Sequence, residues 1–169
     1  MRITAKIDYA VRACVELAAA WDSAPGAAPR FVKAESISHA QAAPDAFVLG
    51  ILNQLKRAGL VVSRRGADGG YCLAHPPESI VVADVVRAID GPLANVAGSY
   101  VEDVSYAGAA APVRDVWVAL RAAMRSVLDT VSLADIAGGE LPPDVRRLLA
   151  DETAWSTRPH GRETRVRGR

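Results

Sequence analysis

The spacing of apolar residues in the first half of the chain predicts three helices and then a β-hairpin. Apolar residues recur every three or four positions over 4–21 and over 44–57, which places them along one face of a helix. A shorter helix is predicted over 34–40, and a turn joins it to the next helix. The runs LVVS (60–63) and GYCL (70–73) are rich in strand-favouring residues, so they predict the two arms of the hairpin.

The linker between the two arms has the composition of a tight hairpin tip. It reads RRGADG, and Asp68, Gly69 and Gly70 are residue types that accept the positive φ angles of such a tip. Arg64 and Arg65 are therefore expected near the tip, where guanidinium groups can enter a narrow minor groove or bind phosphate. The alternative is an ordinary charged hairpin.

In the second half of the chain, segments with a helical spacing of apolar residues alternate with segments that have no such spacing. A helix is predicted over 83–89, ended by the sequence DGP. Residues 93–112 are rich in Gly, Ala and Ser without a period, which predicts an irregular loop that either has a function or is disordered. A near-heptad apolar seam over 113–131 predicts a dimerisation helix; a helix that packs only on its own domain is the alternative. The seam consists of Val113, Val116, Trp117, Leu120, Met124, Val127, Leu128 and Val131.

The order helix, turn, helix and hairpin outlines a winged helix-turn-helix. Such a module lays one helix in the major groove of DNA and contacts the backbone or a neighbouring groove with its hairpin, the wing. The predicted fold class is mainly α with a small β-hairpin wing, plus the long dimerisation helix. The predicted regions are a DNA-binding domain (1–91), a sensor-type loop without cysteines (92–112), a dimerisation region (113–139) and a C-terminal extension with a disordered basic tail (140–169).

The charge distribution supports separate nucleic-acid and interaction regions. The formal net charge is only +1, so affinity for nucleic acid must come from local clusters. Residues 54–71 carry four bases against one acid, and residues 158–169 carry five arginines against one glutamate. Residues 92–151 are acidic by contrast, with five bases and eight acids. A solvated surface with uneven charge is the alternative, and it is a stronger alternative for the tail than for the central cluster.

The helix predicted over 44–57 carries few base-reading groups at its start. Its first residues are small, apolar or acidic, so arginine forks to guanine are not available there. Asp45 either accepts a hydrogen bond from a cytosine amine or caps the helix, and capping is favoured. Lys56 and Arg57 near the helix end, with the wing arginines, are expected to carry much of the affinity, and groove shape to contribute to sequence choice.

The sequence offers little support for other chemistry. No nucleophile-elbow, phosphate-loop or metal motif frames the Ser, His and Asp residues, so an enzyme is not expected. Cys14 and Cys72 match no metal-site spacing and favour a reducing cytoplasm. Neither a signal peptide nor a membrane span is predicted, and no membrane partner is expected. A thiol switch at Cys72, beside the wing arginines, is a weaker hypothesis.

Several motifs at this spacing resemble those of the Rrf-two family of bacterial transcription regulators. They are the opening MRITAKIDYAVRACVELA, the run KRAGLV, the wing pattern RG-x-x-GGY-x-L and the helix end RAIDGP. The resemblance covers roughly residues 1–137. It implies a homodimeric repressor that binds double-stranded DNA. The DNA-binding domain of each chain is expected to bind half of a near-palindromic operator. The DNA-facing positions that it implies are Pro44, Asp45, Phe47, Lys56, Arg57, Arg64, Arg65 and Gly66.

The chain departs from the family in the sensor loop. Iron–sulfur members carry three cysteines after the RAIDGP-like helix, and here that loop has none. A cluster needs about four ligands, mostly thiolates, so neither an iron–sulfur cluster nor another metal is expected. Asp8 occupies a position from which some nitric-oxide-sensing relatives draw a carboxylate ligand, but no cysteine stands opposite to complete a site.

Without a cluster, two kinds of signal remain open. A small ligand is predicted between the DNA-binding domain and the dimerisation helix, in a pocket with aromatic walls from Tyr100, Tyr106 and Trp117. Alternatively, a protein partner sets the DNA affinity, as the resemblance to cysteine-metabolism members implies. Two further alternatives are a winged fold that docks protein instead of DNA, and a redox- or iron–sulfur-responsive regulator with atypical ligands.

Overall fold

The first helix supplies one wall of the core. The computed structural model describes residues 2–22, 24 and 29–156, so the predicted basic tail lies outside the described residues. Helix α1 (Ala5–Ala19) begins after Thr4, whose Oγ1 accepts a hydrogen bond from the Ile7 N–H at 3.2 Å. Its buried residues are Ile7, Ala10, Ala13, Cys14, Leu17 and Ala18, the face that the three- and four-residue spacing predicts.

Helices α2 (Ala34–Ala40) and α3 (Asp45–Arg57) form the predicted helix-turn-helix. The apolar face of α3 packs on α1 through Val48, Ile51, Leu52 and Leu55. The helix stops at Gly59, which adopts φ +77°, while the N–H of Leu60 donates to the Leu55 carbonyl at 3.0 Å. A left-handed residue at this position is a common helix end and favours glycine.

The wing is an antiparallel pair of strands, β1 (Val61–Arg64) and β2 (Gly70–Leu73). Val32 adds one bridge to the outer edge of β2: its N–H and carbonyl each pair with Tyr71 at 2.8 Å. The wing is therefore held to the segment before α2 as well as to α3. We call α1 to α4 together with the wing the head; the bounds of α4 follow below.

The backbone of the hairpin tip differs from the sequence prediction. Positive φ angles occur at Gly66 (107°) and Gly70 (147°), and not at Asp68 or Gly69. A Cβ on Gly70 would lie 2.4 Å from the carbonyl oxygen of Val32, so this glycine also permits the close approach of the bridging segment. The prediction of a positive φ angle was therefore right for Gly70 and wrong for Asp68 and Gly69, and it missed Gly66.

The loop after the head contains structure that the sequence did not predict. Helix α4 (Val82–Asp90) is followed by a short β-hairpin with two residues in each strand, β3 (Asn95–Val96) and β4 (Ser99–Tyr100). Its two turn residues, Ala97 and Gly98, both have positive φ angles (51° and 88°), as a tight hairpin turn requires. Leu93 and Val101 on either side are buried and anchor the loop. The prediction of a wholly irregular segment over 93–112 was wrong in this respect.

Helix α5 (Val113–Leu128) buries none of its residues within the described part of the chain. After it, the chain returns to the head: Val82 N–H donates to the Val131 carbonyl at 2.9 Å. Val131 is only 4% exposed, so it belongs to the core of its own chain. Its assignment to the dimerisation seam was wrong, because the helix ends at Leu128 and the chain turns inward before residue 131.

Two short α-helices and a 3₁₀ helix (Glu152–Trp155) complete the described chain. Helix α6 (Leu133–Gly138) packs on α1 through the fully buried Leu133, and its start is capped by reciprocal hydrogen bonds between Ser132 and Asp135. Helix α7 (Pro143–Leu149) follows. Among the described residues, no helix is both long enough and apolar enough to span a bilayer.

Candidate nucleic-acid interface

A basic cleft separates the exposed face of α3 from the wing. Its volume is about 780 Å³, and the residues at the start of α2 also line it. Its polar lining includes Lys33, Glu35, Asn53, Lys56, Arg64 and Arg65, four bases against one acid. The sequence predicted Lys56, Arg64 and Arg65 but missed Lys33, because the short segment before α2 reaches the wing only through the Val32 bridge.

The side chain of Lys56 joins the end of α3 to the wing. Its Nζ donates a hydrogen bond to Ser63 Oγ at 2.7 Å. The contact connects the end of α3 to β1, and it places one positive charge in the lining of the cleft. Arg57, the neighbouring predicted residue, is exposed but does not line the cleft. The structure therefore separates two residues that the sequence grouped together.

The two wing arginines are held differently. The Arg64 guanidinium lies 4.4 Å from the centroid of the Phe31 ring, and its Nη2 donates to the Asp68 carbonyl at 2.7 Å. Cation–π stacking and a backbone hydrogen bond restrict this side chain before any ligand arrives. Arg65 is exposed and makes no hydrogen bond or ion pair with the described residues, so its donors are available. Gly66 lies beside it on the same wall.

The capping and packing of the first residues of α3 agree only in part with the sequence prediction. Pro44 is the N-cap residue, and no side-chain hydrogen bond caps the helix in the described structure, so the capping interpretation of Asp45 was wrong. Phe47 is 36% exposed, and its ring meets Tyr9 edge-on at 5.6 Å. Phe47 thus connects α3 to α1 as well as facing outward. Contact of these three residues with DNA stays a prediction.

A polar clamp that the sequence did not reveal fixes the turn between α2 and α3. Arg12 on α1 donates to the side-chain Oε1 and to the backbone carbonyl of Gln41, each at 2.6 Å. Its third contact is Asp8 Oδ2 at 3.1 Å, and its guanidinium stacks 4.6 Å from the Tyr9 ring. Gln41 also donates to Glu16. The sequence could have revealed the ion pair between Asp8 and Arg12, because these residues lie one helical turn apart. It could not have revealed Gln41, which lies 29 positions after Arg12.

The thiols and the sensor loop do not fit an iron–sulfur cluster. Cys14 and Cys72 are both buried in the head as free cysteines. Burial raises the pKa of Cys14 to about 12, and burial also raises the pKa of Cys72, against the opposing charge of Arg64. Residues 92–112 contain neither Cys nor His, and the described residues hold no group of three or more His, Cys, Asp or Glu placed to bind a metal. The donor set therefore does not match a cluster.

A largely aliphatic cavity of about 700 Å³ lies between the head and α5. The predicted pocket was placed in this region, but the walls differ: Val11 of α1, Val86 of α4 and Met124 of α5 supply apolar surface, with Asp8 and Asn95 at the polar edge. Tyr106 and Trp117 do not line it, and neither does Tyr100. Tyr100 lines a separate, smaller cleft on the other side of 91–93.

The predicted seam on α5 is accessible in the described chain. Val116 is 58% exposed and Leu120 is 37% exposed, and Val118, which the heptad pattern missed, is also 37% exposed. The other α5 residues of the seam are half-buried: Val113, Trp117, Met124, Val127 and Leu128. Only Val131 is withdrawn into the core.

Together, the helix-turn-helix, the bridged wing and the basic cleft define a DNA-binding protein of the winged helix-turn-helix class. Residues 3–139 match the Rrf2 (Rrf-two) family, described as an iron-dependent transcriptional regulator. The chain therefore belongs to the Rrf2 family of transcriptional regulators. Its relatives are regulators and not enzymes.

Similarity extends beyond the head. The chain is 47% identical over 161 residues to a helix-turn-helix transcriptional regulator of Mycobacterium tuberculosis, covering 95% of this chain and 96% of the relative. It is similar in structure to CymR, the global cysteine regulator of Bacillus subtilis, with a TM-score of 0.64, 30% identity and coverage of 82% and 97% of the two chains. IscR of T. potens gives a TM-score of 0.62 at 26% identity, covering 94% and 93%.

Proposed function

We propose that the protein is a homodimeric, sequence-specific repressor that binds a near-palindromic operator in double-stranded DNA. The basic cleft between α3 and the wing is the observation that carries this proposal. It brings Lys56, Arg64 and Arg65 around one concave surface, although the whole chain has a net charge of only +1. Phosphate contacts from such a cleft orient the helix toward the major groove, while groove shape contributes to sequence choice.

The homodimer is inferred from the exposed surface of α5. A helix of 16 residues that buries none of them in its own described chain leaves Val116, Val118 and Leu120 in water. Pairing with the same helix of a second copy removes that surface from water with closed two-fold symmetry. Two heads related by this symmetry then meet half-sites about one helical turn of DNA apart.

The regulatory signal is proposed to be a small ligand or a protein partner, and not an iron–sulfur cluster. The absence of Cys and His from residues 92–112 supports this choice. The cavity of about 700 Å³ against α5 is large enough for a small molecule, and its aliphatic walls favour an apolar group. We place the protein in the cytoplasm, where its free thiols stay reduced and genomic DNA is present.

Selection of bound fragments from sheared genomic DNA, followed by sequencing, tests the proposal. We expect enrichment of a small set of promoter fragments that share an inverted repeat. Arg65→Ala should weaken binding to the enriched site by at least ~1 kcal/mol. Arg114→Ala is the matched control, because Arg114 is an exposed arginine of α5 far from the cleft in sequence.

A protein-docking winged fold is the second candidate, favoured by the near-neutral charge and the acidic start of α3. No enrichment of any fragment at low salt would support that candidate and contradict the repressor.

A further inference from the structure

A small arginine-lined cleft lies beside the aliphatic cavity, on the opposite side of residues 91–93. Its volume is about 300 Å³, at the lower end of the range of small-ligand pockets. Arg87 reaches it from α4, and Arg121 and Arg125 reach it from α5. Glu102 and Tyr100, from the loop between these helices, complete the polar lining. Three arginines and one glutamate therefore line a space that the described residues leave open.

The three arginines are not equally neutralised. Arg87 pairs with Asp129 at 2.7 Å and with Asp84 at 3.2 Å. Arg121 pairs with Glu102, and its side chain is only 15% exposed, which is unusually buried for an arginine. The side chain of Arg125 makes no hydrogen bond or salt bridge with the described residues, although its backbone carbonyl accepts from the Asp129 N–H at 3.0 Å. The residues that line the cleft therefore carry three positive charges against one negative charge, and Asp84 and Asp129, which lie outside the lining, balance the charge of Arg87. Arg125 is the arginine of the three without a salt bridge in the described chain.

The three arginines also have unused hydrogen-bond donors. Each guanidinium carries five N–H donors in a fixed fork. Arg121 uses one Nη for Glu102, and Arg87 uses its two Nη groups for aspartates, so most donors of the three side chains remain available. Hydrogen bonding to its own backbone and to Arg121, aided by the charge of Arg125, lowers the pKa of Glu102. Glu102 is thus an anion that lies in the same lining as Arg87, Arg121 and Arg125.

We propose that this cleft binds a small anion bearing a carboxylate or phosphate group, which joins Arg125 and Arg121 of α5 to Arg87 of α4. Planar or tetrahedral oxyanions match the forked donors of arginine better than spherical halides do. Within the described chain, α4 and the end of α5 are joined by the Arg87–Asp129 ion pair, and α5 has no fully buried residue. The anion adds a second bridge between these two helices. Binding therefore fixes the angle of α5 relative to the head.

The regulatory part of the inference rests on the proposed function. If α5 forms the dimer, its angle sets the distance between the two DNA-binding heads, and an anion that fixes the angle changes operator affinity. Thermodynamic linkage requires the reverse effect, so operator DNA changes anion affinity by the same factor. The binding site itself does not depend on DNA and can be tested without it.

The test is a titration of the full-length protein with inorganic phosphate and, separately, with succinate. Thermal unfolding is followed at constant ionic strength, with chloride as the balancing anion. We expect at least one probe to raise the unfolding midpoint saturably. Arg125→Gln should weaken the apparent affinity at least about tenfold, because a charge-assisted hydrogen bond is lost. Arg114→Gln, an exposed arginine on the same helix, should leave it unchanged.

Glu102→Gln provides a change in the opposite direction. Removing the resident carboxylate frees donors of Arg121, so anion affinity should rise in this variant; a merely structural role for Glu102 predicts no such gain. A response to phosphate alone assigns the site to phosphorylated ligands, and a response to succinate alone assigns it to carboxylates. No saturable shift beyond chloride with either probe, or an equal shift in Arg125→Gln, overturns the site.

The same variants test the coupling to DNA. Once an operator is known, the effective probe should change its affinity in the wild type and not in Arg125→Gln. Saturable anion binding without any change in operator affinity would leave the site intact and overturn the coupling. Failure of all DNA binding, with anion binding preserved, would contradict the proposed function and not the anion site.

Discussion

The head and α5 differ in how far their apolar residues are buried within the described chain. In the head, Leu52, Leu55 and Leu17 are almost fully buried by neighbouring elements of the same chain. In α5, Val116 and Leu120 remain exposed although they follow a regular apolar spacing. The head is therefore stabilised within one chain, and the exposed face of α5 supports our proposal that a second copy covers it. The effects of mutations on stability should therefore depend on protein concentration in α5 and not in the head.

The largest effect is expected in the head. Leu52→Ala removes a fully buried side chain from the contact between α3 and α1, so it should lower the free energy of unfolding by about 2–5 kcal/mol. Chemical denaturation at several protein concentrations measures this loss, which should be the same at each concentration. Leu148→Ala, at a 54% exposed position of α7, is the control and should change stability by less than about 0.5 kcal/mol. Equal losses in both variants would contradict the described core.

The α5 surface should show the opposite behaviour. Leu120→Ala should weaken dimerisation by about 2–4 kcal/mol, because a symmetric interface contains the substitution twice. Each copy should lose about 1–2 kcal/mol, less than for burying a whole leucine, because only 37% of this residue is exposed before pairing. Analytical ultracentrifugation across a dilution series measures the dissociation constant. Ala122→Ser, at another exposed position of the same helix outside the predicted seam, serves as the control. A monomeric wild type at all concentrations would remove the distinction between the two regions.

Backbone strain in the wing should give the next largest loss. Gly70→Ala places a Cβ 2.4 Å from the Val32 carbonyl oxygen at a residue with φ 147°, so it should cost about 1–3 kcal/mol and loosen the wing. Gly50→Ala is the matched control, since it lies within α3 with open space around its Cα. That control should instead stabilise by about 0.5–1 kcal/mol. Thermal unfolding compares the two, and a loss of stability in both would refute the assignment of strain to Gly70.

The smallest of these effects is expected from the polar clamp. Arg12→Gln removes most of the contacts with Gln41 and Asp8, which should cost about 1 kcal/mol of stability for a partly exposed network. Operator affinity should fall as well, because the turn before α3 loses its attachment to α1. Gln41→Ala should give a similar loss, and the double variant should show less than the sum of the two. Additive losses would indicate that the clamp does not act as a unit.

Sequence reasoning succeeded where the information is local. The spacing of Ile51, Leu52 and Leu55 predicts the buried face of α3 because helix periodicity is a property of the segment itself. The basic cleft was predicted in part, since Lys56 and the wing arginines lie on elements whose order is recognisable. A match to the Rrf2 family confirms the fold class and the regulator function that the motifs indicated.

The remaining features depend on contacts between distant segments. Stacking of Arg64 on Phe31 and the attachment of Arg12 to Gln41 join residues about 30 positions apart, which no local pattern encodes. The capping prediction for Asp45 failed because Pro44 occupies the N-cap position. The short hairpin at 95–100 was missed because two-residue strands leave no periodicity to detect.

Titration of an enriched operator fragment with the protein, at several salt concentrations, tests the central claim most directly. Fluorescence anisotropy should show two chains per operator and an affinity that falls steeply with salt, because several phosphate contacts release counterions. Arg65→Ala should bind more weakly and with a smaller salt dependence, while Arg114→Ala should match the wild type. Binding that is independent of salt and of Arg65, or the absence of operator binding altogether, would contradict a DNA-reading cleft between α3 and the wing.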